Sequence, residues 1–312
     1  MKFHSRIRKS CYKARGRGTS SAVLVLRPAR NILDLELFLQ RKSILPGFGL
    51  TLGYTVVYLG LIVLLPLGAL ALRTSSLGLD RLWALLTAPR VMAAFETSFG
   101  IALAAAAINA LFGLIVAWVL ARYDFPGRRF LDAAVDLPFA LPTAVAGIAL
   151  AALCAPEGWV GSVLVRFGVS VAYTPLGILV ALIFVGLPFI VRTVQPVIAD
   201  LERDIEEAAA TLGATRIQTL GRIVLPGLVP ALLTGFALAF ARGVGEYGSV
   251  IFIAGNIPKV SEILPLLIVI KIEEYDFAGA TAIAVVMLVA AFLILLSINL
   301  IQAWSRRRFG NV

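Results

Sequence analysis

The chain has 312 residues, 60% of them hydrophobic and only 15% charged, with a mean hydropathy of +0.93. Several apolar runs exceed the roughly 18 residues expected of a membrane span, so the fold class is all-α, a polytopic transmembrane bundle. A transmembrane barrel is excluded, because barrels show weak alternating segments of about ten residues instead. The net charge of +10 is concentrated at one end: residues 1–49 hold eleven Lys/Arg against Asp34 and Glu36, which leaves +1 for everything else. Basicity confined beside a membrane speaks to orientation and not to nucleic acid.

Residues 1–45 are a basic segment, read as a flexible tail, a transit-like segment or an upstream extension, with no function assigned. Residues 46–95 hold span 1 (about Leu50–Leu72, with Pro66) and an external loop with a short helix to Ala94. The transmembrane domain occupies 96–304. Span 2 is about Thr97–Leu120 and ends on the basic connector ARYDFPGRR. Span 3, about Val135–Leu153, begins DLPFALPTAVAG; Pro138, Pro142 and Gly147 make it broken or kinked, which either frees backbone groups to line a polar path or only improves packing.

Span 4 is about Leu176–Val194, with Pro188 and Arg192. A polar cytoplasmic loop at 197–227 follows, then span 5 (Leu228–Ala254) and span 6 (Ala278–Trp304), and a basic tail at 305–312. Between spans 5 and 6 the segment 255–277 reads as a re-entrant or surface helix, or as a weak extra span. The count is therefore about six. Placing both termini inside puts twenty Lys/Arg in the cytoplasm against six outside; without the N-terminal segment the ratio is nine to six in the same sense.

Cys11 and Cys154 lie on opposite sides of the first spans and are not expected to pair. His4 is the only histidine, so a Cys/His metal site is not expected. The chain holds no Walker A motif, so any ATP-driven step belongs to a partner and the chain is not read as an enzyme. Catalytic, cofactor and metal residues are assigned as none. Asp132 and Asp136 are taken as helix-end carboxylates facing solvent.

Two features carry function. In span 5, FARGVGEYGSVIF places Arg242 and Glu246 at i, i+4 on one helix face. They read either as part of a path or gate or as a structural ion pair, and with Pro138, Pro142, Thr143 and Tyr247 they form the pore or gate candidates. The second feature is EEAAATLGATRIQTLGRIVLP. Leu201–Leu212 suits a short helix, Gly213 can end it in the left-handed conformation, a second short helix follows, and Pro226 turns the chain back to the membrane. The product is a rigid helical knob presented to the cytosol, with Glu207 exposed toward a partner.

This stretch matches the EAA loop of ABC importer permeases at Glu207, Ala208, Ala209, Gly213, Ile223, Leu225 and Pro226. With ILPGFGLTLG, ARYDFPGRR, DLPFALPTAVAG, PFIVRTVQPV, GEYG, VIFIAGNIP and LLSINLIQ, the chain from about Lys42 onward resembles the subunit T family of sulfate/thiosulfate permeases, relatives of molybdate permeases. Tyr247 stands where these relatives usually carry Phe. The resemblance implies a type I importer permease fold in the bacterial cytoplasmic (inner) membrane. It implies two ATPase subunits that bind ATP and Mg, a homologous second permease, a periplasmic sulfate-binding protein, surrounding lipid, and sulfate or thiosulfate as cargo. Glu206, Glu207, Ala208, Ala209, Gly213, Ala214, Ile223, Leu225 and Pro226 would then couple to the ATPase. A molybdate/tungstate permease and a non-transporting membrane scaffold are the competing readings.

Overall fold

The computed structural model describes residues 48–75 and 78–309. The segment 1–45 and residues 310–312 therefore lie outside the described residues. The chain divides into two compact units, Met1–Gly60 and Leu61–Val312. The first contributes α1, Phe48–Leu59, before a π-helical turn at Gly60–Leu64.

The second unit runs through α2 (Leu65–Ser75), α3 (Leu79–Leu86), α4 (Pro89–Arg122), α5 (Arg128–Val135), α6 (Leu137–Ala140), α7 (Thr143–Cys154) and α8 (Gly161–Arg166). It continues through α9 (Pro175–Asp200), α10 (Arg203–Thr211), α11 (Arg216–Thr219), a π turn at Leu220–Val224, and α12 (Leu225–Val244). It closes with α13 (Val250–Ile253), α14 (Leu264–Glu273) and α15 (Phe277–Phe309). No strand occurs among the described residues.

Among the described residues, five helices are long and apolar enough to cross a membrane: Gly49–Ser75, Pro89–Arg122, Pro175–Asp200, Arg216–Val244 and Phe277–Ala303. The expected span 3 is different. It is split among the end of α5, α6 and α7, of which α7 alone is an apolar helix of ten residues or more. Twelve residues reach about 18 Å, well short of a hydrocarbon core of about 30 Å. The breaks fall where Pro138 and Pro142 cannot donate a backbone bond to the preceding turn. Segment 255–277 does not provide another span either, since α14 has ten residues.

The core is built on α9, which packs between α4 and α12. Close approach comes from glycine. A Cβ on Gly113 of α4 would lie 2.7 Å from the Ile190 side chain of α9, and Gly235 of α12 sits against the Ile190 backbone. Small residues at crossings let membrane helices gain dispersion contact where lipid supplies no hydrophobic drive. Ile190, Val191 and Val194 are fully enclosed there, together with Phe240. The apolar side chains on the outer faces of α4 and α15, such as Leu111, Phe112, Phe292 and Leu293, are exposed, as lipid-facing residues are.

Two helix bounds in the second half differ from expectation. Helix α12 stops at Val244 and does not continue to Ala254, because Gly245 caps it and the chain turns before α13. Pro226 does not begin a new turn toward the membrane. It lies within one continuous helical segment, Arg216–Val244. The π turn immediately before it widens the ladder where a proline ring would otherwise press on the carbonyl one turn back.

Candidate functional site

Helix α10 carries Asp204 and Glu206 in its first turn, where the helix dipole favours acids. It ends in a Schellman motif: Ala214 N–H donates to the Ala209 carbonyl (3.0 Å) and Gly213 N–H to the Ala210 carbonyl (3.0 Å). Gly213 has φ +82°, the left-handed value the turn requires. A capping box starts α11. Thr215 N–H donates to Gln218 Oε1 (2.9 Å), and Gln218 N–H donates to Thr215 Oγ1 (3.4 Å). The T-x-x-Q signal for this box was present in the sequence and went unread.

The knob is anchored by its first glutamate. Arg122, at the end of α4, donates from Nη2 to Glu206 Oε1 at 2.6 Å and lies over the Trp118 ring, 5.5 Å from its centroid. Glu206 is thus turned inward, while Glu207 and Ala208 face solvent and Ala209 is buried. Leu212 and Ile217 are 89% and 83% exposed, so the knob presents two bare apolar side chains as well as the exposed Glu207. Ala214 is half-buried behind them. Ile223, Leu225 and Pro226 are half-buried in the π turn and the start of α12, off the exposed face. A cavity of about 740 Å³ separates α10 from α4 and the beginning of α12, with Arg122, Glu206, Glu207 and Arg216 on its rim and Trp118 and Leu228 in its wall.

The gate candidates come together in part. Arg242 and Glu246 form an ion pair, but not along one helix as expected, since Glu246 lies past the end of α12. Glu246 is 2% exposed. Its second oxygen accepts from Ser249 N–H and Ser249 Oγ, both at 2.9 Å, and so fixes the turn that launches α13. The two side chains are thus paired in this structure. Thr143, at the start of α7, meets this turn, and Pro142 precedes it as the N-cap: a Cβ on Gly248 would clash with the Thr143 side chain, and one on Gly147 with the Ser249 backbone. Tyr247 packs half-buried on the main core. Pro138 lies elsewhere, on α6, where neighbouring Phe139 meets Phe189 of α9 edge-on at 5.2 Å.

Two charged clusters were missed. Asp132 and Asp136 are not free helix-end carboxylates: both bind Arg192 of α9. The guanidinium holds the Asp132 carboxyl below its ordinary range, helped by Gln195. Arg90 and Glu262 form a bidentate pair at 2.8 and 2.6 Å, with Glu262 buried, fastening the segment before α14 to the start of α4. Partners 56 and 172 residues apart leave no local spacing to find. Cys154 is buried and free.

Residues 109–311 match the model of the family described as "Binding-protein-dependent transport system inner membrane component". The chain is 49% identical over 276 residues to the sulfate transport system permease protein CysT of Salmonella typhimurium, covering 88% of this chain and all of that protein. It is 51% identical over 257 residues to the CysT of Synechococcus elongatus, covering 82% and 92%. The fold is similar to that of a chain in the crystal structure of a bacterial alginate ABC transporter in complex with an alginate pentasaccharide-bound periplasmic protein (TM-score 0.68, 18% identity, 91% and 99% covered). With the family model matching more than half of the chain, a relative 49% identical over 88% of it, and five helices among the described residues suited to the bilayer, the chain belongs to the binding-protein-dependent transport system inner membrane components, as a membrane permease of the ABC importer type.

Proposed function

We propose that this chain is the permease subunit of an ATP-driven importer that carries sulfate or thiosulfate across the cytoplasmic membrane. The observation that carries the reading is the knob α10–α11. It is rigid through its Schellman motif and capping box, is braced on α4 through Arg122, and exposes Glu207, Leu212 and Ile217. Bare apolar side chains together with an exposed acid on one knob are what a docking surface for a separate ATPase needs, since exposed apolar groups on a cytoplasmic loop gain by burial. The cargo class rests on the likeness to the sulfate permeases of Salmonella and Synechococcus.

In this reading two ATPase subunits bind ATP and Mg, and a homologous permease completes the pathway. A periplasmic binding protein delivers the anion. Closure of the ATPases would push the knobs and shift the two permeases between packings open to either side. Arg242 is balanced by Glu246, so the pair serves to shape the turn against α7, not to offer free positive charge to an anion.

The test is uptake of labelled sulfate by vesicles containing the complete complex. Uptake should require ATP and the ATPase, and competition by excess thiosulfate or molybdate ranks the cargo. Uptake that persists without the ATPase defeats the importer reading. Absence of uptake of all three anions, with the ATPase still bound, favours a scaffold. Glu207→Arg and Gly213→Pro are expected to abolish ATP-dependent uptake while the chain still inserts; unchanged uptake in both would remove the knob from the coupling path.

A further inference from the structure

We infer that Arg192 is a positioning residue that carries movement of the knob to the broken helix α7, an inference that rests on the importer reading above. Its guanidinium makes five bonds. Nε and Nη2 donate to the two carboxylate oxygens of Asp136 (2.8 and 2.6 Å), and Nη1 donates to Asp132 Oδ1 (2.7 Å). Nη2 also reaches the Asp132 carbonyl (2.8 Å) and Nη1 the Gln195 Oε1 (2.8 Å), while Gln195 Nε2 donates to Asp132 Oδ1 (3.2 Å). A planar fork of donors fixes orientation as well as distance, which a lysine could not do.

The placement of this clamp gives it a direction. On one side, α9 runs on to Asp200 and the knob begins at Arg203, so Arg192 stands in line with whatever pushes α10. On the other, Asp132 and Asp136 belong to α5 and its end, followed by α6, Pro142 and the first residue of α7 beside the Glu246–Ser249 turn. Because prolines break the backbone ladder between 136 and 143, α5 and α6 follow α9 through lateral contacts, of which the clamp is the charged one.

A purely stabilising role fits poorly. The three charged side chains are 33%, 40% and 46% exposed, so solvent screens their attraction, while the forked network still fixes how α5 sits on α9. Five donor bonds from one half-exposed side chain suit geometry better than stability.

The test uses the complete complex in lipid vesicles with Cys11→Ala and Cys154→Ala, and Val145→Cys placed in the first turn of α7. Two quantities are read: ATP hydrolysed per anion taken up, and the response of maleimide labelling at position 145 to ATP without any anion. Arg192→Gln is expected to assemble and hydrolyse ATP, with the ratio raised roughly tenfold, within the span of ordinary coupling free energies, and with labelling that no longer responds. Exchanging the charges with Arg192→Asp and Asp136→Arg is expected to restore part of both. A wild-type ratio and a normal labelling response in Arg192→Gln overturn the clamp. So does an Arg192→Gln chain that fails to assemble with no rescue by the exchange, which would make the residue a folding element only. If the parent complex takes up no anion yet labelling responds to ATP and Arg192→Gln abolishes the response, the importer reading fails and the clamp stands.

Discussion

The knob at 203–219 and the turn at 242–249 each carry glutamate, glycine and arginine, yet they are built in opposite ways. The knob is held by backbone: a Schellman motif, a capping box and one ion pair at its base, with its outer face left bare. The turn is held by side chains around a buried glutamate. Glu246 is enclosed and spends both oxygens on Arg242 and Ser249, while Gly147 and Gly248 let α7 press against it. A segment held by its own backbone can lose an exposed side chain and keep its shape. A segment held by buried side chains cannot.

Substitutions should therefore separate the two regions, and the largest effect on folding is expected at Gly147. Gly147→Val drives a branched side chain into the Ser249 backbone and should exceed the usual overpacking cost of about 1–3 kcal/mol, read as loss of folded chain in detergent. A normal melting midpoint would mean that α7 and the turn do not pack as described. Glu246→Ala follows. It strips the acceptor from a buried N–H and hydroxyl and unpairs Arg242, for about 2–3 kcal/mol.

Gly213→Ala should cost about 1–2 kcal/mol, the penalty of a Cβ in the left-handed region, since open space surrounds the position. Glu207→Arg should shift stability by no more than about 0.5 kcal/mol, as for exposed sites generally, while ATP-dependent uptake is lost. A stability loss there comparable to that of Glu246→Ala would erase the contrast between the regions. The smallest effect concerns acid. The Asp132 carboxyl is held below its ordinary 3.8 by Arg192, so its contribution is complete above that value and is lost only as the pH falls through the lowered one. Detergent-solubilised Asp132→Asn should match the parent's stability more closely below pH 3.8 than above it.

The knob was legible because its determinants are local. Gly213, the alanine-rich helix before it and the acids of its first turn act within a few residues of one another, and the bounds expected for the helix differ from α10 by two residues at the start and one at the end. Only the capping box at Thr215 was overlooked. Span 5 was read too long because an apolar run such as SVIFIA has the same composition whether it continues a helix or folds past a glycine cap. Span 3 was read as broken or kinked at its prolines and is broken there; what was not legible is that the longest apolar helix left, α7, has only twelve residues. Glu262 and Arg192 were passed over because their partners sit on other helices.

By itself the sequence determined the membrane class, most of the long helices and the shape of the knob, since hydropathy, helix period and turn chemistry are properties of contiguous residues. Tertiary structure alone decided that Glu246 closes a turn instead of lining a helix, that Arg192 gathers Asp132 and Asp136, and that α7 leans on residues a hundred positions away. Those choices depend on which glycines let helices meet and which charges then find one another, and packing settles that only when distant segments are brought together.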